Sequence, residues 1–302
     1  MPSRSRLCSL LISRRHSRSG SRLCCCAALL TSSSDVRGLG ARRKGFPVTD
    51  ARVALNRAQV QTTLHDLTTP VDALTPPWPG DQPFRRASRW SIEAGDAVNV
   101  DTVTTTTHIG THIDAPSHVR SGGHSIDRTP LDACIGDCLI VDVRPLVGVS
   151  TSPHGFAPLT LVRSRIAALA RGVGREASSI KRVLLRHRDA PVSTWDGQTP
   201  GLDPAFVQWF GDHGGRLIGI DLLSFDPETS KMLPAHSAAI DAGVVMLEGL
   251  DLTRVPEGFG DLIALPALWI GADAAPVRAV FRREAVCSIP TPNPIIPTRR
   301  NP

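Results

Sequence analysis

The chain has 302 residues and a formal net charge of +6, with 41% hydrophobic and 21% charged residues. This composition is typical of a globular protein, and no apolar run reaches the roughly 18–20 residues that a membrane helix needs. The net positive charge comes from residues 1–63, where twelve basic and two acidic residues give +10. The remaining chain has 22 basic and 26 acidic residues, a net charge of −4. A nucleic-acid-binding domain carries its basic stripe on the folded surface, so this distribution argues against one.

Residues 1–63 are predicted to lie outside the folded domain. They are rich in Arg and Ser and poor in acids, which is typical of a mitochondrial transit peptide, and a wrongly assigned start codon would leave the same pattern. A bacterial protein of this kind would be cytoplasmic, whereas a transit peptide would direct it to mitochondria. Residues 284–302 form a Pro-rich tail that is predicted to lack regular structure. The folded domain is therefore expected to span 64–283.

Strand-like and helix-like segments alternate within this domain, which predicts an α/β or α+β class. Helical spacing of apolar residues predicts a helix over 159–170, and Asp203 followed by Pro204 predicts the start of another that ends at Gly214 and Gly215. Short apolar or β-branched runs predict strands at 98–108, 139–143, 182–186, 217–221, 244–247, 262–265 and 277–281. Cys134 and Cys138 lack a second pair for a zinc site, so they are predicted to be buried, reduced thiols.

The segment 108–118 carries the clearest chemical signal. His108, His112, Asp114 and His118 are separated by even numbers of residues, so in an extended chain His108, His112 and Asp114 would face the same way. A helix would also bring the first two together, but Gly110 and the preceding Thr run oppose one. His nitrogens and carboxylate oxygens are the ligands of zinc, manganese or iron(II), and a cluster of titratable groups without a metal would be costly. The run therefore predicts a metal site.

Further ligands must come from elsewhere in the chain. Two candidates are His236 and Glu248, the latter directly after a predicted strand. Trp78 lies in a Pro-rich loop, where it either covers the core or forms a rigid stacking wall for an aryl group. The residues alone do not decide between these roles.

The run 108–118, HIGTHIDAPSH, resembles the HxGTHxDxPxH signature of the metal-dependent cyclase-like hydrolase family, and within it the bacterial-type kynurenine formamidases. Supporting segments occur in family order and cover about 64–283; they are 78–84, 98–100, 219–221, 224–231, 247–250, 262–266 and 276–280. The resemblance implies a single swivelling-type β/β/α domain with a mixed sheet, usually a homodimer or larger homo-oligomer. The family often has a second His at position 237, where this chain has Ser, which leaves His236 as the candidate ligand there.

The resemblance also implies roles for the residues that match the family pattern. It implies two divalent metal ions, usually zinc, with Asp114 bridging them. The first would be held by His108, His112 and Asp114, and the second by Asp114, His236 and Glu248. His118 would transfer protons, and Trp78 would stack on the substrate.

The activity implied is hydrolysis of N-formyl-L-kynurenine to L-kynurenine and formate, in tryptophan breakdown by the kynurenine pathway. The residue that binds the amino-acid end of this substrate is unassigned, with Arg186, Lys231 and Arg278 as candidates. A first alternative is a related hydrolase acting on a cyclic amide such as isatin. A second is an RNA- or membrane-surface-binding protein that uses the basic head; the enzyme interpretation expects neither a nucleic-acid nor a membrane partner.

Overall fold

The computed structural model describes residues 62–146 and 158–284. The predicted head and tail lie outside these residues, apart from Thr62 and Thr63, which begin the first strand, and residue 284, which ends the last. None of the helices in the described segments is long and apolar enough to cross a membrane.

The described residues form eleven strands and four α-helices. The strands are β1 (Thr62–Asp66), β2 (Arg85–Trp90), β3 (Val100–Thr104), β4 (His112–Asp114), β5 (Ile135–Asp142), β6 (Arg182–Arg186), β7 (Leu217–Ile220), β8 (Val245–Glu248), β9 (Gly258–Ile263), β10 (Ala274–Pro276) and β11 (Val280–Glu284). The helices are α1 (Leu131–Cys134), α2 (Leu159–Gly172), α3 (Pro204–Asp212) and α4 (Pro234–Asp241).

Nine of these strands form one mixed sheet in the order β1-β11-β9-β5-β6-β7-β8-β4-β10, and β2 and β3 form a separate hairpin. Strands β5 to β8 run parallel to their neighbours within that group, and the remaining pairs in the sheet are antiparallel. The predicted α/β class with a mixed sheet is confirmed. The predicted strand at 182–186 and helix starting after Asp203 also match, and the Asp203 carboxylate accepts a hydrogen bond from Ala205 N at 2.9 Å.

Both faces of the central sheet are buried, which explains why its strands are continuous apolar runs. Along β6, Val183 and Leu185 point into one core cluster, which α2, α3 and α4 cover, while Leu184 points into the other. Strand β5 alternates in the same way, with Leu139 on the helical side and the buried thiol of Cys138 on the other. Successive side chains of a strand point to opposite faces, so a strand in this environment needs apolar side chains at successive positions.

Two predicted strands differ clearly from the structure, and one helix that carries a candidate site residue lacks a prediction. The predicted strand at 98–108 ends at Thr104, because the chain then turns through Gly110, whose φ of +60° lies in the left-handed region. The predicted run at 277–281 is divided, since β11 begins at Val280 and Val277 makes an isolated bridge with Pro266. Helix α4, which carries His236, was not predicted.

Candidate metal centre

The register of two antiparallel strands places the first site residues side by side. His112 in β4 pairs directly with Glu248 at the end of β8. Opposed residues in an antiparallel pair point to the same face, and Asp114 follows His112 by two residues, so all three side chains project together. All three are at most 3% exposed. The alternation expected for His112 and Asp114 therefore occurs, although β4 has only three residues.

His108 reaches the same place from outside the strand. It lies in the turn that precedes β4 rather than in an extended segment. Its Nδ1 nevertheless approaches Asp114 Oδ1 to 2.9 Å, and its ring stands at 83° to that of His112, with centroids 5.1 Å apart. The predicted grouping of His108 with His112 and Asp114 is present, but a turn rather than strand alternation produces it.

His236 arrives on the first turn of α4. The Asp226 carboxylate accepts hydrogen bonds from the backbone N–H groups of Ala235 (3.0 Å) and His236 (2.9 Å), which satisfies free donors at the helix start. The same carboxylate lies 2.7 Å from His236 Nδ1. One buried acid thus starts the helix and fixes the imidazole that the helix carries. Leu233, just before the helix, has a φ of +45°, a strained conformation of the kind found at functional sites.

Asp114 lies at the centre of the group. His112 Nε2 is 3.4 Å from Asp114 Oδ1, the oxygen that also faces His108. His236 Nε2 is 3.5 Å from the other oxygen, Asp114 Oδ2. Two sets of potential ligands therefore face the two oxygens of one carboxylate.

Glu248 closes the second side of the group. Its Oε2 lies 3.4 Å from His112 Nε2, and its Oε1 lies 3.5 Å from His236 Nε2. Oε1 also accepts a hydrogen bond from Phe225 N at 2.7 Å. Glu248 is thus held within reach of both histidines. Three other sets of potential ligands have their ligand atoms within 4.8 Å of one another: His108–His112–Asp114, Asp114–His118–His236 and His108–His118–Asp273.

Each of the three predicted histidine ligands is held by an acceptor on its outer side. His112 Nδ1 lies 3.0 Å from Gly110 O, His236 Nδ1 faces Asp226, and His108 Nε2 lies 3.1 Å from Asp273 Oδ2. An acceptor on one ring nitrogen fixes the proton there and leaves the other nitrogen free to bind a metal. In all three residues the free nitrogen faces Asp114.

Burial and the neighbouring charges shift the pKa values of this group in opposite directions. Burial disfavours the charged form of His112, but the neighbouring carboxylates of Asp114 and Glu248 outweigh it and raise the pKa of His112 to about 10. Burial likewise opposes protonation of His236, yet the carboxylates of Asp114 and Asp226 raise its pKa to about 10. Burial would raise the pKa of Asp114, but its three histidine neighbours hold that pKa well below the usual range. Without a metal, protons on the histidines balance the buried acids.

The donor set fits a divalent metal. His112 Nε2 and both oxygens of Asp114 are buried, and none of them makes a contact with hydrogen-bond geometry among the described residues; their polar neighbours are the histidine and carboxylate groups of the same cluster. Unsatisfied buried polar atoms are costly, and a cation bound between them would satisfy all three at once. Nitrogen and carboxylate ligands are those that zinc, manganese and iron(II) use.

His118 stands at the solvent side of this group. It ends a single 3₁₀ turn, Pro116–His118, and its side chain is 31% exposed, in contrast to the buried His112 and His236. Its ring centroid is 4.1 Å from that of His108. Burial lowers the pKa of His118, partly offset by the charge of Asp114, so the imidazole is neutral at pH 7 and can accept a proton.

The predicted site residues all line one cavity of about 500 Å³. Trp78 forms part of its wall together with Trp195, and the two indoles meet edge to face at 70° with centroids 4.7 Å apart. The cavity thus places an aromatic wall beside the Asp114 group and His118. An aryl ligand could therefore stack on the wall while its reactive group faces the predicted metal centre.

Sequence reasoning missed three residues that shape this site. They are Asp226, which fixes His236; Asp273, which contacts His108; and Trp195, which completes the wall with Trp78. Asp226 carried no local signal of a helix cap, because it lies eight residues before Pro234 and reaches the start of α4 across a loop. Asp273 precedes the three-residue strand β10, and its position depends on the pairing of Ala274 with Asp114. No local pattern indicates that pairing.

Comparisons with known proteins identify the family and the fold. A family model described as "Putative cyclase" matches residues 65–227, more than half of the chain, including the 108–118 run. Among solved structures, the chain is similar to isatin hydrolase A from Labrenzia aggregata bound to benzyl benzoate, with 23% identity, a TM-score of 0.59, and coverage of 74% of this chain and 94% of that one. It is also similar to an isatin hydrolase bound to the product analogue thioisatinate, with 18% identity, a TM-score of 0.60, and coverage of 74% and 93%.

A third similar structure is a "predicted metal-dependent hydrolase from Bacillus stearothermophilus", with 24% identity, a TM-score of 0.56, and coverage of 74% of this chain and 98% of that one. Identities this low establish a shared fold, whereas the family assignment follows from the family-model match. The predicted family is confirmed: this chain belongs to the cyclase family that this model describes.

Proposed function

We propose that this chain hydrolyses N-formyl-L-kynurenine to L-kynurenine and formate, with two divalent metal ions, most simply zinc, at the Asp114 group. One observation carries the proposal: a single cavity combines an aromatic wall, a buried set of metal ligands and a neutral, partly exposed His118. An aryl formamide presents a flat ring and a formyl group attached to it through nitrogen, which matches that arrangement.

We assign the ligands to two ions according to which oxygen of Asp114 they face. His108, His112 and Asp114 would hold one ion, and Asp114, His236 and Glu248 would hold the other. A divalent ion bound there would supply Lewis acidity for activating water and polarising the amide carbonyl. The buried surroundings keep competing water away from the ligands and strengthen their charge interactions.

His118 carries the proton in the reaction. Its neutral imidazole accepts a proton from the attacking water as the oxygen bonds to the formyl carbon. The C–N bond then breaks, and the imidazolium returns the proton to the departing aniline nitrogen. Water has been added across the bond, so the products are the free aryl amine and formic acid, which releases a proton to the solvent to give formate, and His118 ends as it began.

A second candidate is hydrolysis of a cyclic amide such as isatin. It is favoured by the isatin hydrolases among the similar structures and by the same aromatic wall, against which a fused ring would also stack. The chemistry at His118 would be the same, with ring opening in place of formate release.

The test is formate release from N-formyl-L-kynurenine by the purified, metal-loaded chain, run beside isatin ring opening. Chelator-treated protein and a His118→Ala variant serve as controls. We expect formate release that both controls abolish. Isatin opening without formate release would favour the second candidate, and activity that survives the chelator would contradict the metal-dependent mechanism.

A further inference from the structure

The cavity carries charged groups that neither the metal ligands nor the proton transfer uses. Apart from the predicted site residues, three charged side chains line it: Asp81, Glu228 and Lys231. Lys231 is the one Lys or Arg in this lining, and it lies three residues from Glu228. Opposite charges thus stand close together in the chain at the wall of the cavity.

The other cations considered for the substrate head lie elsewhere. Arg186 donates from Nη2 to Thr253 O at 3.0 Å, and Arg278 forms an ion pair with Asp66. Arg188 lines a smaller adjoining cavity that contains none of the predicted metal ligands. Of these cations, Lys231 alone lines the cavity that holds the candidate metal centre.

Glu228 is fixed in place, while Lys231 is not. The indole N–H of Trp195 donates to Glu228 Oε2 at 2.6 Å, so the aromatic wall and this carboxylate are held together. The second oxygen of Glu228 and the Lys231 ammonium make no hydrogen bond or ion pair among the described residues. A positioned carboxylate and a free ammonium are thus both available to a ligand.

The loop that carries these two charges also delivers His236. Residues 227–233 join the Asp226 cap to α4, and two hydrogen bonds shape the segment: Ser230 N to Pro227 O (2.9 Å) and Leu233 N to Ser230 Oγ (3.2 Å). The positions of the charges relative to the metal centre are therefore set by the same short loop. Glu228, Ser230 and Lys231 line the same cavity as the candidate metal ligands, so a substrate bound in that cavity can contact them.

We propose that Glu228 and Lys231 together bind the amino-acid head of the substrate. The Glu228 carboxylate accepts from the substrate's α-ammonium group, and the Lys231 ammonium donates to its α-carboxylate. The inference rests on the proposed function and sharpens it: the substrate class is an aryl amide with a zwitterionic head, and an uncharged cyclic amide would leave both groups unused.

The test compares two substrates that differ only in the head. N-formyl-L-kynurenine carries the amino-acid group, whereas 2-formamidoacetophenone keeps the ring, the ketone and the formamide without it. Formate release is measured for the unmodified protein, Lys231→Met and Glu228→Gln, the latter retaining an acceptor for Trp195. Arg188→Met is the matched control, because it removes a neighbouring cation from the adjoining cavity.

We expect the unmodified protein to have a kcat/KM at least about tenfold higher for N-formyl-L-kynurenine, the size of one charged hydrogen bond. Lys231→Met and Glu228→Gln should each remove most of that preference through KM, and Arg188→Met should leave it in place. Equal kcat/KM for both substrates, or a preference lost in Arg188→Met and kept in Lys231→Met, would overturn the head-binding pair while the formamidase function stands. Absence of formate from both substrates would instead overturn the proposed function, and this inference with it.

Discussion

The Asp273 carboxylate holds the outer edge of His108, so its charge should tune metal binding without forming part of the ligand set. Asp273 Oδ2 lies 3.1 Å from His108 Nε2, and Oδ1 accepts from Thr107 Oγ1 at 3.0 Å. Burial would raise the pKa of Asp273, but His108 lowers it, so the group is ionised at neutral pH. An ionised acceptor makes the opposite ring nitrogen a better ligand.

The perturbation we choose is Asp273→Asn, which keeps the shape of the side chain and removes the charge. Replacing such an outer partner typically weakens metal affinity about 10–100-fold. The Asp273 side chain is 47% exposed, so solvent screens it and the lower end applies: about tenfold, or about 1.4 kcal/mol. The same exposure, and a backbone bond from Ala115 N to Asp273 O that the substitution leaves intact, should let the variant fold normally.

The assay is a zinc titration of metal-free protein in competition with a fluorescent chelator. Asp132→Asn is the matched control, since Asp132 is 75% exposed and its carboxylate pairs with Arg216 at 3.1 Å. We expect a tenfold weaker zinc affinity for Asp273→Asn and an unchanged one for Asp132→Asn. A zinc affinity for Asp273→Asn within twofold of the unmodified protein would refute the reasoning, as would an equal loss in both variants.

Three further results are expected. His118→Gln should lower kcat about 10²–10⁴-fold while metal content by atomic absorption stays the same; loss of the metal instead would make His118 a ligand. In metal-free protein the pKa of His112 and of His236 is about 10, whereas the pKa of an unfolded histidine is 6.5. The stabilisation of the folded state by these two protonated histidines is therefore complete below pH 6.5 and is lost as pH rises towards 10. Metal binding expels those protons, so zinc affinity should rise over this range, with proton release measurable by calorimetry in buffers of different ionisation enthalpy; a pH-independent affinity would contradict this. Gly249→Ala should lower Tm more than Gly243→Ala. Both glycines have φ near +67°, a conformation that costs an alanine about 1–2 kcal/mol, but only at Gly249 would the new Cβ meet backbone, 2.1 Å from Gly110 O. Equal losses of Tm in the two variants would rule out the steric argument.

The parts of the fold that follow a single physical rule were predictable from sequence. The strand at 182–186 is buried on both faces, so its apolar run has one interpretation, and Asp203 with Pro204 is an explicit helix start. Strands β4 and β10 have three residues each, too few to show a period. Their existence depends on pairing with each other and with β8.

The residues of the candidate site also differ in whether a local sequence pattern predicts them. His112 and Asp114 followed from alternation within one strand, but the approach of Glu248 depends on its register with His112 across two strands 136 positions apart. Asp226 and Asp273 act by contacting histidines from outside, and such contacts leave no spacing in the sequence. The residues alone gave His236 and Glu248 only as candidates, and the resemblance to a family assigned them as metal ligands.

The register between β4 and β8 also bears on when the protein can acquire metal. The ligand groups lie on one early segment, 108–118, and on His236 and Glu248, more than a hundred residues later in the chain. Until β8 has been synthesised and has paired with β4, a nascent chain offers only the first three or four donors. Contacts of such long sequence separation form slowly, since the intervening chain must first be ordered. Metal loading should therefore be a late event in biogenesis.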